Sequence, residues 1–485
     1  AMRLSLAAIL STTMLTVPAF AADIHRIVTV PLGAEVTGVA VHKSGDIFLN
    51  IQHPNESNKG ISLATVGIIT GLDLDSALAL PTGTDKEKVM VASGEYQILG
   101  QEGVNGLGVI ADKDGKVMFT SSDPDFNGFI AIGDDNKAGY LFTNWEATPG
   151  GISRMYIEKS NDGRWISGDV EMLDLSVVGG TWINCAGTVS PWNTPISSEE
   201  LYWDNTADWF NPETEDYDGV ERYTAYNGGN SNPYRVGWNL EIKNPIDNPT
   251  PHKLTTLGRF SHENIAIMND GKTVYQSDDG TNTVFFKFIA DQSGNLDSGT
   301  LYAAHVATNA DESLEIDWVE LAHATKSNVD EWIAEYDAGG YISDEEIADW
   351  AAGKAKDNRV AFLESRKAAA AKGASNEFRK MEVVRADPKG ENLYMAMSEV
   401  AKGMSDDKGD IKVTENACGI VYQMALDASF NVDTMTPFVV GSPEGKVCST
   451  ESISNPDNLW PLGNGVVLIG EDTSKHENNM LWVAK

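Results

Sequence analysis

The chain has 485 residues, with 71 aspartates and glutamates against 36 lysines and arginines and a formal net charge of -35. Such a charge repels the phosphates of nucleic acids and anionic lipid, which makes nucleic acid a poor partner. Past the N-terminal segment no stretch approaches the roughly 20 consecutive apolar residues of a membrane-spanning helix, so no integral membrane association is expected.

At the N-terminus Arg3 precedes an apolar run from Leu4 to Val17, and Ala19-Phe20-Ala21 has the small-x-small pattern of a signal-peptidase site. Residues 1–21 therefore read as a signal peptide, with cleavage before Ala22 and a mature protein in a periplasm or outside the cell. A single basic residue in place of a twin-arginine pair predicts export of an unfolded chain that takes up metals afterwards.

One unit then recurs along the chain. It starts at Val36, Val104, His262, Met381 and Pro456, and each time an apolar strand, a turn with glycine and a second strand rich in Val, Ile, Tyr or Phe make a β-hairpin. Hairpins of one kind at uneven intervals predict an all-β fold, a β-propeller of about six blades with long insertions, because each small sheet must bury its faces against its neighbours. A β-sandwich is the alternative, since strand signals do not tell ring closure from stacking. Length does not decide the domain count, and 22–485 is read as a single domain. One segment departs from the pattern: about 327–374 has helical spacing, with Ser343 as N-cap, Glu346 at N3 and Gly373 after a run of alanines. This helical insertion could cap a mouth or decorate an edge.

Three cysteines are too few for a disulfide scaffold. Cys418 and Cys448 are expected to bridge in an oxidising compartment, leaving Cys185 single.

Acidic residues stand at the ends of the repeats. Glu263 opens one hairpin and Asp278-Asp279 close it, Glu382 opens another that Glu399 closes, and Asp457 opens the last, which ends at Glu471-Asp472. Further strands end at Glu146 and at Glu199-Glu200. Hairpins that point one way around an axis make equivalent positions neighbours, and crowded carboxylates need hard cations such as calcium to neutralise them. No phosphate-binding P-loop, Gly-x-Ser-x-Gly elbow or His-Glu-x-x-His helix is present. His262 reads as a hydrogen-bonded structural residue.

The stretches "TWINCAGTVSPWNTPISSEE", "GWNLEI…LGRFSHENIAI…VYQSDD", "MEVVRADPKGENLYMAMSE" and "SNPDNLWPLGNGVVLIGED" resemble, in order and spacing, the signature of PhoX-type alkaline phosphatases. The likeness runs from about Pro149 to Lys485, with weaker support at "HPNE" and "DPDFNGFIAI". It implies a propeller that cleaves small-molecule phosphate esters at a mixed centre of ferric iron and calcium. By motif it makes Cys185 an iron-bound thiolate, Glu263 and Glu382 iron or calcium ligands, Asp278 or Asp279 a calcium ligand, and Glu199 or Glu200 a further acid of the site. Lys380 stands where the family carries a phosphate-contacting arginine, which keeps the charge and loses the bidentate fork. Ser198 replaces a second cysteine of many members. Two rival functions are a calcium-binding propeller without catalysis and a calcium-dependent lactonase-like hydrolase; neither needs the Cys185 thiolate. The sequence does not give the oligomeric state.

Overall fold

The computed structural model describes residues 22–201 and 203–485, so the expected signal peptide lies outside the described residues. The chain is mostly β, as the alternation of apolar and polar residues between glycine turns requires. Six strands share one role: Glu35–Val41, Pro124–Ile132, Asn184–Val189, His262–Ile267, Met381–Ala386 and Pro456–Pro461. Each is the innermost strand of an antiparallel group that runs outward, as in Pro124–Ile132, Ala138–Trp145, Gly151–Lys159 and Trp165–Met172. The six inner strands pack side by side in chain order, and the order closes because Glu35–Val41 lies against both Pro124–Ile132 and Pro456–Pro461. Closure is hydrogen-bonded further out as well, where Ile24–Thr29 pairs with Met480–Ala484 and so ties the first described strand to the last.

Two departures from simple repetition matter. The groups that begin at His262 and Met381 join at their outer edges through Leu314↔Met435 and Glu315↔Thr434, which makes one nine-stranded sheet. The hairpin predicted at Val104 forms as Val109–Ala111 with Val117–Thr120, but as a two-stranded satellite outside the ring; the inner strand follows it, at Pro124. Composition could not separate the two, since both are short apolar strands flanking a glycine turn.

The helical insertion consists of α2 (Lys326–Glu335), α3 (Asp344–Ala351), α4 (Arg359–Leu363) and α5 (Ser365–Ala371), after an α1 (Tyr217–Tyr226) that the periodicity does not announce. Ser343 and Glu346 form the expected capping box. Val329, Ile333, Trp350, Phe362 and Leu363 are buried in one core with Leu257, Phe286 and Leu301 of the sheet region, so the insertion is docked by the hydrophobic effect. Cys418 and Cys448 are disulfide-bonded, and Cys185 is free and buried. No helix among the described residues is long and apolar enough to cross a membrane.

Candidate metal centre

The inner strands carry the site through a repeated local defect. Pairing steps from Asn184↔Glu199 to Gly187↔Ser197, from His262↔Asp278 to Asn264↔Ser277, from Met381↔Met397 to Val384↔Met395 and from Pro456↔Glu471 to Asn458↔Gly470. The residues passed over include Cys185, Glu263, Glu382 and Asp457. A bulge frees its residue from the ladder and re-aims the side chain. Asp125 has the same setting, between Pro124↔Trp145 and Asn127↔Thr143. Four carboxylates and one thiol are thus turned toward the middle of the ring.

Partners arrive from the second strands, whose ends lie at the same level. The N–H groups of Glu146, Glu200, Asp279, Ser398 and Asp472 donate to the carbonyls of Asp123, Ile183, Ser261, Lys380 and Asn455 at 2.9–3.2 Å. The contact is the same one repeated around the ring, and it presents Glu200 and Asp279 beside the bulged residues. Ile183, Lys380 and Asn455 take positive φ values of 38°, 49° and 45° there, a conformation that asparagine tolerates but that is unfavourable for Ile183 and Lys380 and is held by these flanking bonds.

Ligand atoms of Cys185, Glu200 and Glu263 lie within 4.8 Å of one another, and so do those of Glu263, Glu382 and Asp457 and those of Glu35, Asp457 and Asp472. Glu263 and Asp457 each belong to two groups, which makes the cluster continuous. Lys380 reaches in, its Nζ 3.1 Å from Asp279 Oδ2 and 3.3 Å from Glu382 Oε1. Ser398 Oγ donates to the same Glu382 oxygen at 2.6 Å.

Such a cluster is costly without cations. Burial first, and then neighbouring acids, pushes Glu35, Glu146, Glu263, Glu382 and Asp457 well above the usual carboxylate range. Burial likewise raises Glu200 to about 8 and Asp125 to about 6. The Cys185 thiol is pushed up by burial and by Glu263, and points at the carbonyls of His262 and Glu263 at 3.1 and 3.3 Å. Burial alone would lower the Lys380 ammonium, but Asp279, Glu382 and Glu200 hold it well above its ordinary value. Oδ1 of Asp125, Asp279 and Asp457 is buried with no hydrogen-bond partner. Unpartnered buried carboxylate oxygens beside a thiol are a donor set for hard and borderline cations, so calcium and ferric iron both fit the residues present.

The acidic doublets split. Glu199 accepts from the amides of Trp182 and Trp238 and from Lys253 Nζ, at 3.2, 2.8 and 3.0 Å. Asp278 accepts from the amides of Ser261 and Val284, both at 3.1 Å, and from Arg366 Nη2 and Nε at 2.6 and 2.9 Å. Glu471 is held in the same way by the amides of Ser454 and Met480, by Trp482 Nε1 and by His476. Thus Glu199 and Asp278 face away from the cluster with their oxygens saturated, while Glu200 and Asp279 face it. Arg366 belongs to α5 and also reaches Asp204 at 2.9 Å, so the helical insertion braces the strand end that carries Asp279 and the segment just past Glu200.

The remaining expectations sort by contact. Glu399 pairs with Arg379 at 2.7 Å, outside these groups. His262 is buried, stacks on Phe260 at 3.7 Å and meets the Gly258 carbonyl through Nε2, a structural role. Sequence reasoning passed over Glu35 and Asp125. Each stands at the start of an inner strand, in "AEVTGVAV" and "DPDFNGFIAI", and applying the strand-opening-acid rule to every apolar run would have found both.

The family model for alkaline phosphatase PhoX matches residues 168–485. No relative was found among curated proteins. Among solved structures, the chain is similar to Pseudomonas fluorescens PhoX in complex with vanadate, a transition state analogue, at 17% identity and TM-score 0.58, covering 95% of this chain and 87% of that one. At that identity the likeness is one of fold. A Trichoderma reesei carbohydrate-active enzyme of family AA12 aligns at 9% identity and TM-score 0.46 over 97% of both chains.

Proposed function

The chain belongs to the alkaline phosphatase PhoX family of enzymes, and on that premise we propose that its acidic centre is the metal site of a phosphate-ester hydrolase. The closed order of inner strands supports reading the ring as a six-bladed propeller, one domain over 22–485, whose axis the site occupies. The observation that carries the reading is the convergence of Cys185, Glu200, Glu263, Asp279, Glu382 and Asp457 around one cluster with Lys380 at its edge.

Cys185, Glu200 and Glu263 suit iron, which accepts thiolate and carboxylate; the all-oxygen groups of Glu382 with Asp457, and of Glu35 with Asp472, suit calcium. When bound, such ions neutralise a phosphoryl group and polarise it toward attack. The protein's own part is electrostatic and positional. Lys380, held between Asp279 and Glu382, offers an ammonium to a phosphate oxygen, and because both acids restrain it little reorganisation is needed as charge develops. Glu199, Asp278 and Glu471 fix the backbone behind the inward acids, so the cradle is formed before substrate arrives. The Pseudomonas fluorescens protein of similar fold is in complex with vanadate, a transition state analogue, which agrees with a phosphoryl-transfer reading of this chain. Export to a periplasm or beyond the cell is the matching location.

Protein purified through its native export route, analysed for metals by mass spectrometry and assayed on p-nitrophenyl phosphate at alkaline pH, tests this. Iron together with calcium and a chelator-sensitive turnover are expected. Calcium alone with no turnover on monoesters or diesters would return the protein to the non-catalytic or lactonase-like readings.

A further inference from the structure

A cavity of about 730 Å³, lined in part by Asp123 and Glu146, opens beside the acidic centre. Ile183 links the two spaces, since it lines the cavity while its carbonyl accepts from the N–H of Glu200 at 3.0 Å. One wall is aromatic. The Trp182 and Trp203 rings meet edge to face at 5.8 Å, and Trp182 is braced from behind by Trp209 at 5.2 Å and Tyr223 at 6.1 Å. Met118 and Phe119, both half-buried, contribute further apolar surface. Such a braced wall is formed in advance and suits a flat apolar group.

The rim sets the charge. Asp216 and Asp218 stand there against a single cation, Arg222. That guanidinium is already engaged, with Nη1 on Asp218 at 2.6 Å and Nε and Nη2 on Thr148 at 2.8 and 2.6 Å. A second phosphate or a carboxylate entering the cavity meets net negative charge and no free cation of the rim.

We infer that this cavity receives the organic half of the ester, and that the substrate is a phosphomonoester of an aromatic alcohol without a second anionic group. The inference rests on the reading of the acidic centre as a phosphate-ester site. A phosphate seated on that centre next to Glu146 projects its ester oxygen toward the cavity, where the ring lies against Trp203 and Phe119. Apolar stacking supplies affinity, and the acidic rim turns away polyphosphates and carboxylated esters.

Phosphonates test this without cleavage, because the carbon–phosphorus bond removes any leaving-group effect on the measurement. Titration calorimetry on the metal-loaded protein should find phenylphosphonate about tenfold tighter than methylphosphonate, a gain of the size expected for one aromatic contact set. 4-Carboxyphenylphosphonate should bind severalfold more weakly than phenylphosphonate. Trp203→Ala and, separately, Phe119→Ala should bring the phenyl-to-methyl ratio toward one, so the test survives if either variant fails to fold. Equal affinity for the two phosphonates, or a ratio that neither substitution moves, overturns the aromatic subsite while leaving the phosphate-ester reading intact. Equal or tighter binding of the carboxylated ring overturns the exclusion of a second anion. Binding of no phosphonate removes the phosphate-ester reading and the subsite together.

Discussion

Glu199, Asp278 and Glu471 differ from Glu200, Asp279 and Asp472 by one residue of chain and by everything that surrounds them. The first member of each doublet is enclosed by backbone amides and a side-chain partner, the cations Lys253 and Arg366 for Glu199 and Asp278 and the His476 ring for Glu471. The second faces other acids, in the company of Cys185 and Glu263, of Lys380, or of Glu35 and Asp457. Strand side chains alternate, so one step along the chain separates a structural brace from a candidate ligand. The doublets are therefore two-layered devices, a satisfied outer acid holding the frame and an under-satisfied inner acid left for cations.

The sharpest way to break the comparison is to neutralise one acid from each layer. Glu263→Gln removes an oxygen charge common to two ligand groups. Loss of a residue merely supporting a ligand costs roughly 10- to 100-fold in metal affinity or activity, so losing Glu263 itself should exceed about 100-fold, with bound metal falling in parallel by mass spectrometry. Cys185→Ser should strip iron selectively while calcium stays, since a hydroxyl is a poor substitute for a thiolate.

In the outer layer, Asp278→Asn should act on stability first. It removes the buried carboxylate of the largely buried Arg366 and leaves the exposed Asp204 as its charged partner, a loss of up to about 3 kcal/mol. Calorimetry should show a lowered melting temperature, and Arg366→Met in the same chain should recover much of it. If Asp278→Asn instead lost metal without losing stability, the two layers would not be distinct.

Acidity gives a third test. In the metal-free fold Asp125 titrates at about 6 and Glu200 at about 8, above their ordinary values of 3.8 and 4.5. Groups raised by folding favour the fold at low pH, and that contribution is lost as pH rises through the folded values. Metal-stripped protein should therefore lose melting temperature between about pH 5 and pH 8, whereas cations occupying the cluster should flatten the profile. Calcium binding across the same interval should tighten with pH and release protons into a weakly buffered solution.

Lys380→Arg is the mildest probe. Charge is conserved, so metal content should hold, and a change of a few-fold in the Michaelis constant or turnover number for p-nitrophenyl phosphate is expected as a point charge becomes a fork. Unchanged kinetics would place Lys380 outside the reaction.

Much of this layout was legible in the chain. The hairpin repeat announced the β architecture, the capping box at Ser343 and Glu346 announced the helices, and the strand-end acids with Cys185 announced where a metal centre could assemble. Less visible were Glu35, which stands one residue ahead of a hairpin that the repeat did reveal, and Asp125, whose inner strand follows the satellite hairpin that took its place in the repeat. The role of the insertion was also hidden, because Arg366 lies 88 residues from Asp278 and nothing local to α5 records that contact.

Residue types and spacing by themselves determined that short strands would form, that acids would recur at their ends and that one cysteine would stand apart from the other two. Only the tertiary structure decided which acid of each doublet faces the cluster. That choice depends on bulges at Cys185, Glu263, Glu382 and Asp457 and on cations brought from distant segments. The alternation of a strand is written in sequence, but its phase relative to the centre is set by where pairing slips and by which buried charge finds a partner.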